Sequence, residues 1–426
     1  MSQTFDTPQT TEQERRRGMG LLFACLLSLG MGQSLVFAIL PPLARDLGLN
    51  EVQVSAIFTL SAVLWVVMSP IWGRYSDSWG RRPVILLGLT GFGVSMGGFG
   101  FLLLVGQWKV LPLMTLYILL IFVRAIFGLM GAGTPSAAQA YVADRTTRTE
   151  RTSGVAALGA AYGIGTIIGP GFAAGLAEVH LLAPFYVLAM LALTDATAIF
   201  FLLPERRRPS ESKSQDAKLR INDPRVRPFL LMGVAISTIQ AAVMQVMAFY
   251  VMDVMELSGA ETARVVGIGI MSMAVSTLFA QLVIIPRMHL SVHNLLLWGI
   301  WVNGAGVAML LLPMSVGIFV IAMTVQGLGM GLLRPAVTAG GSLSVSADEQ
   351  GAVAGLNNAT AAIGVIIVPI TVMPLYLLMP SAPFWFAFIL SLGMLLMVRG
   401  PIVEALDTPI DSEEIEAQTY STPTRH

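Results

Sequence analysis

The sequence predicts an all-α membrane protein of twelve transmembrane helices in two pseudo-symmetric six-helix halves, and three observations predict it. Of its 426 residues, 55% are hydrophobic and 12% charged, against about 25% charged in an ordinary soluble domain. Apolar runs of about 20 residues, long enough to cross a hydrocarbon core of about 30 Å, recur from residue 18 almost to residue 400. The third observation is an internal echo: segments of one half return, in the same order, in the other.

The runs do not alternate as barrel strands do, and they are rich in Leu, Ala, Met and Gly. In lipid such runs satisfy their backbone hydrogen bonds as helices. Breaks at Pro, Gly and charge clusters delimit spans at 18–41, 53–73, 83–105, 112–143, 153–178, 183–203, 228–252, 262–286, 294–313, 316–345, 350–378 and 382–399. The first span follows Arg15, Arg16 and Arg17 as the core of a signal peptide would. Its length, about 23 residues, and its lack of a small-residue cleavage site make it a retained span. The lone cysteine, Cys25, lies inside it, so no internal disulfide forms.

Residues 204–227, "PERRRPSESKSQDAKLRINDPRVR", form the longest polar break. They separate a first half (18–203) from a second (228–399), with tails at 1–17 and 400–426. Residues at a span's edge are counted with the adjoining loop. The segments on the side of the termini then hold 20 of the 25 Lys and Arg residues, the opposite side holds Arg45, Lys109 and Arg264, and Arg124 and Arg334 lie within spans. By the positive-inside rule both termini are cytoplasmic, in a cell (inner) membrane. Net charge is zero, which gives no reason to expect nucleic acid.

"VAALGAAYGIGTIIGP" (155–170) resembles "VAGLNNATAAIGVIIVP" (353–369), and "GLMGAG" from Gly128 matches "GLGMGL" from Gly327, all at an offset of 198 or 199. Span four therefore corresponds to ten and five to eleven. Paired repeats around a midplane cavity are what alternating-access transporters are built from.

Between spans two and three the chain reads "GRYSDSWGRR". The positive-inside rule accounts for the arginines but not for Asp77, which is suited to accept hydrogen bonds from amides at a helix start and to pair with an arginine. Gly73 and Gly80 permit a tight turn and close backbone approach. At this point the chain resembles the major facilitator superfamily, whose loop between helices two and three carries G-x-x-x-D-x-x-G-R-R, matched by Gly73, Asp77, Gly80, Arg81 and Arg82. The resemblance implies the major facilitator fold and a conformational latch between the halves on the cytoplasmic side. Ser78 stands where that family has a basic residue.

Arg124, about 11 residues into span four, sits near the midplane, where a charge is costly and marks a functional site; a structural tether is the alternative. Arg124, Gly128, Gly131 and Gly133 are similar to the family's R-x-x-x-G-x-G pattern, whose arginine is associated with proton coupling, with the glycine spacing one residue longer. In span five Gly159 and Gly163, then Gly165 and Gly169, form smooth strips for helix packing ahead of a bend at Pro170. Gly165, Gly169 and Pro170 resemble the antiporter motif of the twelve-helix drug/proton antiporters, the tetracycline-resistance-like branch. Ala156, Ala173 and Ala174 replace its other glycines.

Asp195 in span six is the only deep carboxylate. If protons drive transport it is the candidate carrier, facing Arg124, with a helix tether as the alternative. Helix one offers Gln33 where that branch often has an acid. Gln33, Gln240, Gln245, Gln326, Asn357 and Asn358 are candidates for neutral hydrogen bonding in a substrate cavity, with Met244 and Met247 nearby. Arg334 adds a second intramembrane cation, which favours neutral or anionic amphipathic substrates.

The function this predicts is a secondary transporter, a proton-coupled exporter of small amphipathic molecules such as a drug or secreted metabolite. The alternative is an uptake symporter or facilitator. Its partners are a small-molecule substrate, protons and the lipid bilayer; no cofactor or metal is expected, and the chain is expected to act as a monomer. An intramembrane enzyme is disfavoured because His180, His289, His293 and His426 sit at span ends, in loops or in the tail, without an H-E-x-x-H pattern.

Overall fold

The computed structural model describes residues 11–145, 148–177, 179–205, 222–288, 290–346 and 349–400. Most of the linker (206–221) and the tail residues 1–10 and 401–426 lie outside the described residues. The first half comprises α1 (Glu12–Asp46), α2 (Glu51–Trp79), α3 (Arg81–Gln107), α4 (Leu113–Ile126, then a π turn at Phe127–Gly131 and a continuation over Gly133–Ala143), α5 (Arg148–Ala177) and α6 (Ala183–Leu202). The second comprises α7 (Arg227–Met255), α8 (Gly259–Phe279, with a π turn at Ala280–Ile284 and an end at Ile285–Met288), α9 (Val292–Met309), α10 (Val316–Leu343), α11 (Gln350–Leu378) and α12 (Ala382–Val398). Among the described residues, nine of these helices are long and apolar enough to cross a membrane by length and composition.

The helices outrun the predicted spans because their polar ends are capped. Thr11 and Glu14 form a capping box at the start of α1, and Asn50 and Gln53 form another at α2. Each box satisfies amides that would otherwise end the helix nearer the hydrocarbon edge. α2 likewise continues through Gly73 to Trp79, and the chain turns only at Gly80, whose φ is +110°.

Glycines set the packing, and equivalent helix pairs meet in the two halves. A Cβ on Gly165 would overlap the Leu27 carbonyl of α1, and one on Gly364 would overlap the Ser237 backbone of α7. Gly128 of α4 lies against the Ser61 carbonyl of α2, while Gly327 of α10 lies against the Met273 carbonyl of α8. These contacts let backbones approach where a side chain would hold them apart.

α1 begins and α12 ends on one face, the proximal face; the α1–α2 turn marks the distal face. The halves meet where α2 packs on α11, α5 on α8, and α1 on α7 and α8. In the distal part of this seam Ser55 donates to Gln245 at 2.5 Å, and Gly267 of α8 lies against the Pro170 carbonyl of α5.

Candidate functional site

Arg124 is 2% exposed. Its guanidinium lies 4.7 Å from the Phe127 ring centroid, and Nη2 reaches Gln33 Oε1 at 3.5 Å, the long limit for a hydrogen bond. Its Nε has no partner among the described residues. The π turn immediately follows, at Phe127–Gly131. One extra residue in a helix is absorbed by such a turn, so the longer glycine spacing still leaves Gly128 and Gly131 against α2. Trp72 of α2 donates its indole N–H to the Leu129 carbonyl at 2.5 Å, a group inside the π turn.

From the other half, Arg334 of α10 is exposed and donates from Nη2 to Gln240 Oε1 of α7 at 3.0 Å. Tyr162 of α5 stands within electrostatic reach of both Arg124 and Arg334. Neither guanidinium is in ion-pair contact with a carboxylate of the described residues.

Several expectations are corrected by this geometry. Asp195 does not face Arg124: its Oδ2 accepts the Ser28 hydroxyl of α1 at 2.6 Å, the arrangement of a tether between α6 and α1. Gln326 is 1% exposed and buried where Gly306 of α9 meets its backbone, away from the seam between halves. Gln245 is 2% exposed and serves the seam itself through Ser55. Asn357 faces Gly341 of α10 with both amide atoms buried and unpartnered among the described residues. The Asn358 side chain lies outside the described residues. Gly165 and Gly169 pack on α1, but a Cβ on Gly159, Gly163 or Gly73 would meet nothing within 4 Å; only one of the two strips in α5 makes a contact.

At the proximal face Arg81 pairs with Asp77 and, through Nε at 3.0 Å, with Asp144 at the end of α4. Asp77 does not hold the amides of α3. Glu205, just beyond α6, accepts them from Arg81 N at 3.1 Å and Arg82 N at 2.8 Å. Arg82 lies over the Phe200 ring of α6 at 5.1 Å. All these groups belong to the first half or, for Glu205, to the first residues of the linker. A second cluster ties the end of the linker to the second half: Arg225 bonds Asp223 and Glu349 at 2.8 and 2.9 Å. The Arg225 guanidinium, then the Ser346 amide and hydroxyl, hold the Glu349 carboxyl down at about 2.

Sequence reading missed the distal network. Arg45, at the end of α1, pairs with Glu51 of α2 and with Asp253 of α7, and Tyr376 of α11 donates its hydroxyl to the same Asp253. The Phe249 ring lies 5.1 Å under the guanidinium. The available signal was Arg45 itself, a cation on the side where cations are few.

The model of the family described as Major Facilitator Superfamily matches residues 22–291. The chain belongs to the Major Facilitator Superfamily. It is 29% identical over 391 residues to Multidrug resistance protein 1 of Bacillus subtilis (strain 168), covering 88% of this chain and 93% of that one. It is 34% identical over 197 residues to the class D Tetracycline resistance protein of Salmonella ordonez, covering 44% and 46% respectively. The fold is that of a bacterial homologue of the iron transporter ferroportin, crystallised in an inward-facing state: TM-score 0.68 at 13% identity, covering 92% of this chain and all of that one. As a member of the Major Facilitator Superfamily the protein is a multi-pass membrane transporter of small molecules and not an enzyme.

Proposed function

We propose that the protein is a proton-coupled exporter of small amphipathic molecules, neutral or anionic, acting as a monomer in a cell inner membrane with both termini cytoplasmic. Two six-helix halves, 18–203 and 228–399, rock about the seam. One observation carries the reading: among the described residues, ion pairing across the halves sits at the distal end, Arg45 on Asp253, whereas at the proximal end Arg81 with Asp144 stays within the first half and Arg225 with Glu349 ties the end of the linker to the second. A seam tied in that way opens its cleft toward the proximal face, the cytoplasm in this reading, where an exporter loads. The relatives named for multidrug and tetracycline resistance favour export over uptake. In the opposite state, Gly73, Asp77, Gly80, Arg81 and Arg82 form the latch that closes the cytoplasmic side.

Inside-out vesicles test it. Tetracycline or ethidium should accumulate against a gradient, and an uncoupler should abolish the accumulation. Accumulation only in right-side-out vesicles would make the protein an uptake system. After Cys25→Ser, a cysteine placed in 206–221 should react with an impermeant maleimide only from the cytoplasm; labelling from outside would overturn the orientation.

A further inference from the structure

We propose that the cleft between the halves is an organic-anion site, in which Arg124 of the first half and Arg334 of the second hold one acidic group between them. The proposal deepens the exporter reading and rests on it for the direction of movement. It begins with charge balance. An intramembrane charge persists only where it is paired or solvated, and each guanidinium presents five N–H donors. Arg124 is 2% exposed, yet among the described residues its single hydrogen bond is the 3.5 Å approach to Gln33. Phe127 covers one face of the guanidinium plane and leaves the donor edge to other partners. Arg334 has one side-chain bond among the described residues, to Gln240.

Asp195, the carboxylate deepest in the spans, and the carboxylates of the clusters at the two faces are already engaged among the described residues. Asp195 accepts from Ser28, Asp77 and Asp144 pair with Arg81, Glu205 caps α3, Glu51 and Asp253 serve Arg45, and Asp223 and Glu349 serve Arg225. The two cleft arginines are thus left with excess positive charge that the described part of the chain does not offset.

The helices set them on a stair. At 1.5 Å per residue, Arg124 lies about 16 Å below the distal end of α4, Tyr162 about 22 Å below that of α5, and Arg334 about 27 Å below that of α10. The Tyr162 phenol lies within electrostatic reach of both cations. A lipophilic cation entering the cleft would add a third positive charge, and a neutral guest would leave both guanidiniums as they are. A carboxylate or sulfonate matches the planar donor fork of arginine, and its aromatic body fits against the half-buried Tyr162. Because the acid touches both halves, it also gives the substrate a hold on the rocking motion itself.

Two dyes sharing a xanthene frame and carrying opposite charge make the test: fluorescein, an anion, and rhodamine 123, a cation. Binding is read by fluorescence anisotropy on the full-length protein in nanodiscs. Fluorescein should bind at least tenfold more tightly than rhodamine 123. Arg334→Gln should weaken fluorescein about tenfold and leave rhodamine 123 unweakened, since loss of one charge-assisted bond has that size. Arg334 is exposed, so this variant is the one least able to disturb folding; Arg124→Gln should act alike, and Arg124→Lys or Arg334→Lys should recover part of the loss. Failure of fluorescein to bind, tighter binding of rhodamine 123, or equal binding of fluorescein to the parent and both glutamine variants would each overturn the proposal. Uphill export of cationic dyes without anion binding sinks the anion site and spares the exporter. Anion binding without uncoupler-sensitive export does the reverse.

Discussion

Asp253→Asn should open the distal seam. Asp253 joins the halves through a two-pronged pairing with Arg45, in which Nη2 reaches Oδ2 at 3.1 Å, and is itself held within the second half by the Tyr376 hydroxyl. An exposed ion pair contributes about 0.2–1 kcal/mol, and charge-assisted, two-pronged geometry roughly doubles that. The Arg45 and Asp253 side chains are 28% and 34% exposed, so solvent screens the pair and the upper end does not apply. A loss of about 1–1.5 kcal/mol corresponds to a shift of roughly 5- to 13-fold toward the distally open state, at about 1.4 kcal/mol per factor of ten. The reporter is Ser55→Cys in a Cys25→Ser background, because Ser55 is fully buried and bonded across the seam to Gln245. Its labelling rate by an impermeant maleimide from outside follows the population of the distally open state. Asp253→Asn should raise that rate about tenfold. Glu51→Gln removes a partner of Arg45 that lies in the same half and should change it little. If Asp253→Asn left the rate within twofold of the parent, or if Glu51→Gln acted as strongly, the cross-half lock would be wrong.

Four further outcomes are expected. Gly165→Ala should abolish stable expression because its Cβ meets the α1 backbone, whereas Gly159→Ala, facing open space, should raise the melting temperature through its better helix propensity, worth about 1 kcal/mol. Gly80→Ala combines a φ of +110° with a clash against Glu205 Oε1 at 2.6 Å and should cost about 1–3 kcal/mol in thermal unfolding; Glu205→Gln should cost less, since an amide oxygen can still accept the α3 amides. The depressed pKa of Glu349 makes its contribution fully present above the ordinary glutamate range of about 4.3 and lost as pH falls toward about 2. The melting-temperature deficit of Glu349→Gln should therefore be flat from pH 5 to 8 and shrink below about pH 4. Asp195→Asn keeps an acceptor for Ser28 and should export at close to the parental rate in the vesicle assay; loss of uncoupler sensitivity with substrate binding intact would restore Asp195 as the proton carrier.

What the sequence made legible was whatever is periodic or local. The twelve spans follow from hydropathy, the pairing of the halves from an offset repeat, and the Gly80 turn from a ten-residue motif whose Arg81 and Asp77 lie four apart. The extra residue between Arg124 and Gly133 was visible as a departure from a pattern, and its absorption in a π turn is a local matter of helix winding. What stayed hidden depends on which helix faces which. Asp195 and Ser28 are 167 positions apart, and Arg45 and Asp253 are 208 apart. No periodicity within one helix says that Gln326 turns toward α9 while Gln240 turns toward Arg334. Glu205 escaped notice because it lies at the edge of a charged linker, where composition alone makes any one acid look like solvated surface.

The strength of the distal lock also bears on how the protein cycles. A transporter has to leave each of its states, so a contact that stabilises one of them must be matched by something of similar size in the other. Breaking a fully buried ion pair costs about 3–5 kcal/mol, which without compensation would hold the distally open state below about one part in a hundred. Arg45 and Asp253 are instead placed at the end of the seam, a third exposed, where water returns part of what the pair gives up on separating. In the proposed cycle the proximal face would supply the matching contact: Arg81 is held at the α2–α3 turn by Asp144 and Asp77, while Asp77 remains 45% exposed and could exchange Arg81 for a partner in the second half when the proximal ends of the halves swing together. In that proposal, exchanging Arg45–Asp253 for an Asp77 contact would let the two states lie within a few kcal/mol of each other, close enough for the proposed anion or a proton gradient to move the balance.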